Sequence, residues 1–142
     1  MATPLDEAIQ HLRSLNEPVP KPMRLPSAAA VAAAERKLGV TFHPDYRRFL
    51  LEAGDVVYGS LEPATVGQRH AQSDLATMAG EAWTEMELPR ELLPICEDNG
   101  DYYCMTTRGE VVFWSHDGSS DERWPSLAEW IEQVWIEENQ DE

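Results

Sequence analysis

The sequence predicts an α+β domain, with N-terminal helices packed on a mainly antiparallel sheet and a C-terminal amphipathic helix closing the fold. Three observations predict it. Apolar residues keep a helical period through the first third of the chain. Three β-rich runs between 92 and 116 are then joined by connections too short to hold a crossover helix. Last, Leu127, Trp130, Ile131, Val134 and Trp135 recur at i, i+3, i+4, i+7 and i+8, a full apolar stripe. At 142 residues the chain is one domain's worth, divided on sequence into a helix and Pro-rich connector (1–24), a core (25–136) and an acidic tail (137–142).

Each element has a local reason. Leu5, Ile9, Leu12 and Leu15 define a short amphipathic helix. The stretch NEPVPKPMRLP holds four prolines and reads as an extended connector, because proline removes donors and locks φ. Ser27 caps a helix of strong formers, AAAVAAAERKL, which Gly39 ends. Pro44 opens the next helix, with Tyr46, Phe49, Leu50 and Ala53 inward and Gly54 as its stop. Val56 to Leu61 reads as a strand ended before Pro63. A helix is expected near 72–85, from the spacing of Leu75, Met78, Ala79, Ala82 and Trp83. Strands follow at Leu92–Cys96, Tyr102–Thr107 and Val111–His116, with DNGD and TRGE as turns. Ser126 and Glu129 form a capping box for the last helix. Its two tryptophans could face a partner, but a stripe at this spacing is read as sealing the domain's own core.

Charge bounds the function. Eleven basic against 26 acidic residues give a net charge of −15, which argues against direct contact with a nucleic-acid backbone, where Lys and Arg supply the affinity. The imbalance is local. Residues 1–48 carry seven Lys/Arg and five Asp/Glu; residues 49–142 carry four arginines and 21 carboxylates. The longest apolar run is seven residues, Ala28 to Ala34, far short of a membrane span. The first residues lack a basic-then-apolar leader, so a cytoplasmic location with reduced thiols is expected.

Chemistry-bearing motifs are sparse. His11, His43, His70 and His116 are scattered, and no EF-hand register fits: with Gly100 at position six, Ile95 and Thr106 fall at the ligand positions one and twelve. No metal or cofactor is indicated. Cys96 and Cys104 flank the DNGD turn; they could form a redox pair, or one could be a nucleophile with His116 as base, but their apolar neighbours read as core. No catalytic constellation is found. If the strands form a meander, the 97–101 turn and the segment after His116 leave at the same end. That end gathers Glu97, Asp98, Asp101, Asp117, Asp121 and Glu122 as a candidate partner-binding surface.

The ordered motifs resemble a known family. LPSAAAVAAAERKLGVTFHPDYRRFLLEAG is similar to the opening of the SUKH superfamily, through Ala34-Glu35, Leu38-Gly39, Pro44-Asp45-Tyr46-Arg47, Phe49-Leu50 and Gly54. LPICEDNGDYYCM, VVFWSHD and SLAEWI resemble its later blocks in order. His43 stands where leucine is usual, Ala53 where asparagine is, and Thr106-Thr107 where an acidic residue is common. The superfamily includes Smi/Knr-type regulators of fungal cell-wall synthesis and many bacterial immunity proteins. The resemblance implies a non-enzymatic protein that neutralises a cognate protein toxin, of basic nuclease type, by direct binding. A cytosolic scaffold or regulatory module is the alternative. Glu35, beside the apolar Ala34, is expected to satisfy backbone donors near a helix start rather than to bind a ligand.

Overall fold

The computed structural model describes residues 4–18, 24–59, 61–66, 74–98, 100–115 and 122–140. Helices α1 (Leu5–Ser14), α2 (Ala28–Leu38) and α3 (Pro44–Ala53) come first, followed by α4 (Leu75–Thr84). A four-stranded antiparallel meander follows in the order β1 (Leu93–Asp98), β2 (Asp101–Met105), β3 (Val111–Trp114) and β4 (Arg123–Trp124). The chain closes with α5 (Leu127–Trp130), which runs through a π-helical stretch, Ile131–Ile136, into α6 (Glu137–Gln140).

The helix ends follow the expected chemistry. Ser27 Oγ accepts the Ala30 N–H at 3.1 Å, and Gly39 leaves α2 in the left-handed region at φ 70°. Ser126 Oγ accepts the Glu129 N–H at 3.2 Å. Gly54 is needed for a different reason. Its φ is −67°, which any residue adopts, but a Cβ there would lie 2.5 Å from the Leu50 carbonyl oxygen and 2.8 Å from Thr65 Oγ1. The glycine lets the 64–66 segment pass close over the end of α3.

Two faces of the meander are covered differently. On one, Tyr103 packs against Phe113, Trp124 and Trp130, with ring centroids 4.9 to 5.7 Å apart, so α5 seals this side. The apolar stripe of the last helix is buried along its length, and its two tryptophans serve the domain's own core. The π-helical turn adds Ile136 to that buried face and brings the Trp130 and Trp135 rings to 6.3 Å. α1 belongs to the same core: Ala8, Ile9 and Leu12 are buried, and α1 packs on α3 and α5. α4 packs on β1 from the other face.

The strand expected at Val56–Leu61 is corrected. Among the described residues the segment makes only a Tyr58–Leu61 bridge. Its backbone is used elsewhere. Asn16 Oδ1 accepts the Val57 N–H at 2.8 Å, Glu17 Oε2 accepts the Gly59 N–H at 3.0 Å, and the Glu17 N–H reaches the Val57 carbonyl at 2.8 Å. The segment just after α1 thus takes the groups a sheet would have used, and Trp135 Nε1 donates to the Tyr58 carbonyl at 2.8 Å. The expected helix near 72–85 is observed as Leu75–Thr84, with residues before 74 outside the described part. The two-residue β4 was not anticipated, being too short to show a period.

Candidate partner-binding surface

Turn chemistry builds the acidic end. Asp98 and Asp101 pair across β1 and β2, and Gly100 between them takes φ 88°. Glu97, opposite Tyr102, is exposed. β3 returns to the same end because Trp114 pairs with Tyr102, and the exposed Glu122 is held beside it through the Phe113 N–H to Glu122 carbonyl bond at 3.1 Å. Four of the six carboxylates singled out from sequence are therefore brought to one end of the sheet. Asp117 and Asp121 lie outside the described residues.

Neighbouring groups register the resulting field. Burial raises the Cys96 thiol, and Asp98 and Glu97 push it further the same way. Burial also raises Tyr103, with Asp98, Glu138 and Glu122 adding to it. Glu138 itself is raised, first by desolvation and then by Glu122 and Asp98. Glu138 is thus a further member of the cluster. Sequence reasoning left it in a tail, because only the packing of the last helix against the sheet carries it there.

The two cysteines are wholly buried and unbonded to each other. Cys96 faces Tyr103 and Cys104 faces Pro94, an offset that keeps them from standing opposite one another. Burial pushes both thiols up, away from the thiolate form that nucleophilic chemistry requires. Among the described residues no three His, Cys, Asp or Glu side chains converge as a metal-ligand set, and no helix is long and apolar enough to cross a membrane.

Residues within the SUKH-like blocks hold the frame away from this surface. Glu35 Oε2 accepts the Phe42 N–H at 2.7 Å and an Arg47 N–H at 2.9 Å, which ties α2 to the connector and to α3. This is the backbone-satisfying role expected of it. Burial alone would raise its carboxyl, but the two donors outweigh that and lower it. His43 caps α3, its Nδ1 accepting the Asp45 N–H at 3.1 Å, and its ring packs over Gly109 in the β2–β3 turn. Thr106, standing where the family often has an acidic residue, accepts the Arg108 and Glu110 N–H groups at 3.3 and 3.2 Å, so a hydroxyl orders the turn.

The chain matches the family described as SMI1-KNR4 cell-wall (SUKH_5) over residues 5–136. A solved structure, titled as the crystal structure of a protein from Pseudomonas syringae pv. tomato, is 41% identical with a TM-score of 0.87; the alignment covers 93% of this chain and 98% of that one. No curated protein gives a match.

Proposed function

The chain belongs to the SUKH (SMI1-KNR4) family, and from that premise we propose that it is an immunity protein, neutralising a cognate basic toxin in the cytoplasm by direct binding. The reading involves no catalytic step. One observation carries it: Glu97, Asp98, Asp101, Glu122 and Glu138 gather at one end of the meander, within residues 49–142, where 21 carboxylates face only four arginines. Clustered like charges repel, and a cationic partner relieves that repulsion. A nuclease toxin must be basic to hold its substrate, so its own substrate-binding surface is the complement of this end. Turn chemistry accounts for Asp98 and Asp101 but not for Glu97, Glu122 or Glu138.

The test begins with co-expression. The product of the reading frame immediately upstream should arrest growth, and this chain should restore it. With that toxin purified, changing Glu97 and Asp98 together with Asp117 and Asp121 to Gln or Asn should reduce the association rate toward a neutral ~10⁵–10⁶ M⁻¹s⁻¹ and flatten its salt dependence. An unchanged, salt-insensitive rate would remove the acidic end from the interface. Capture of a stable housekeeping complex, with no rescue from any toxin, would favour a scaffold instead.

A further inference from the structure

Among the described residues, the sheet face on which α4 packs is covered only in part. α4 lies on β1, whereas β3 is two strands away. On that outer half Val112 and Trp114 are partly exposed, and the Trp114 ring lies against Tyr102, with centroids 6.1 Å apart and planes tilted by 39°. Arg123, opposite Val112 on β4, reaches Glu110 at 3.7 Å, in the direction away from Trp114. Glu97 is the cross-strand partner of Tyr102; burial raises the Tyr102 phenol, and Glu97, Glu81 and Glu85 push it further in the same direction, so three exposed carboxylates lie near Tyr102. Glu81 lies in α4, Glu85 caps its C-terminus and Glu97 lies in β1.

We propose that this half-face docks an arginine side chain of a basic protein partner, with its guanidinium on the Trp114 ring and Glu81, Glu85 and Glu97 as its anionic rim. Chemistry selects arginine over lysine. The guanidinium is planar, weakly hydrated, stacks on an aromatic face and still presents N–H donors to carboxylates at its edge. The chain makes the same contact internally, where Arg90 Cζ sits 4.1 Å from the centre of the Trp83 ring. The inference rests on the binding reading above and refines it: the acidic end steers approach, and Trp114 supplies the desolvated aromatic contact that binding energy is concentrated in.

A toxin-free experiment separates the two readings. The ¹⁵N-labelled protein is titrated with acetyl-Gly-Arg-Gly-Arg-Gly-amide and with its lysine counterpart. The Trp114 indole N–H, assigned with Trp114→Phe, should shift and saturate, with ~2–5-fold weaker binding of the lysine peptide. Trp114→Ala should abolish that preference. Should that variant unfold, Glu81→Gln with Glu85→Gln, both on exposed positions, should weaken binding and reduce its salt dependence. Shifts confined to residues 97–101 with Trp114 unmoved, or equal affinity for the two peptides, would overturn the proposal. Peptide binding at Trp114 without toxin rescue would refute only the immunity reading. Full rescue and unchanged toxin affinity in Trp114→Ala would refute only this one.

Discussion

Removing the Glu35 carboxylate should cost more than its place on a helix surface suggests. Phe42 is only 2% exposed, so once its N–H loses Glu35 it has little access to water. A hydrogen bond from a backbone donor to a charged acceptor contributes about 1.5–3 kcal/mol. The Arg47 contact adds little, since that side chain is 41% exposed and can return to solvent. Glu35→Ala should therefore destabilise by ~2–3 kcal/mol, or ~6–12 °C in Tm for a domain of this size. Glu35→Gln keeps an acceptor for Phe42 and should lose only ~1 kcal/mol. The pH dependence gives the sharper test. The carboxyl is held lower in the folded protein than in the unfolded chain. Its contribution is then complete above the unfolded value of ~4.3 and disappears as pH falls through the folded value. Thermal melts of wild type and Glu35→Gln should diverge at pH 7 and converge on the acid limb. A gap that persists unchanged to the lowest pH, or a Glu35→Ala variant within ~1 °C of wild type at pH 7, would refute the reasoning.

Three further outcomes are expected. Trp130→Ala should cost ~3–5 kcal/mol, and a chain ending at Pro125 should show no cooperative melt while one ending at Asn139 does; Trp130→Phe should cost less, because the buried Trp130 N–H has no hydrogen-bond partner among the described residues. A Cys96→Ala, Cys104→Ala double variant should fold and retain partner binding, the wild-type melt should not respond to reductant, and both native thiols should resist alkylation until the protein unfolds. Gly109→Ala should destabilise by ~1–3 kcal/mol, because φ is 89° and the new Cβ would lie 2.6 Å from His43 Nε2; adding His43→Ala should recover the steric part but not the backbone part, and full additivity of the two losses would argue against the contact.

Electrostatics also shapes what the sequence can disclose about function. The surplus of carboxylates after residue 48 is plain in the composition, and the turn signals of DNGD and TRGE place several of them at one end. In the sequence Trp114 is only a strand residue. Its partial exposure depends on where α4 stops across the sheet, and Glu81 and Glu85 join it from a helix some thirty residues earlier.

What the sequence by itself determined were the features written in neighbouring residues. Ser27, Pro44 and Ser126 start helices because their own side chains or ring act within a turn of the chain. The stripe from Leu127 to Trp135 is buried because its spacing matches the helix that carries it. The meander follows from connections too short to do anything else. Only the tertiary structure decided the rest, and in each case the deciding group is distant along the chain. Val56 to Leu61 has strand-like residues, yet Asn16 and Glu17 capture its backbone from about forty residues away. Thr65 adds to the Leu50 carbonyl in closing off a side chain at Gly54, His43 stands against Gly109, and the acidic cluster gains Glu138 from the far end of the chain. Local sequence sets which hydrogen bonds and faces are possible; which of them form is settled when remote segments compete for the same donors and the same space.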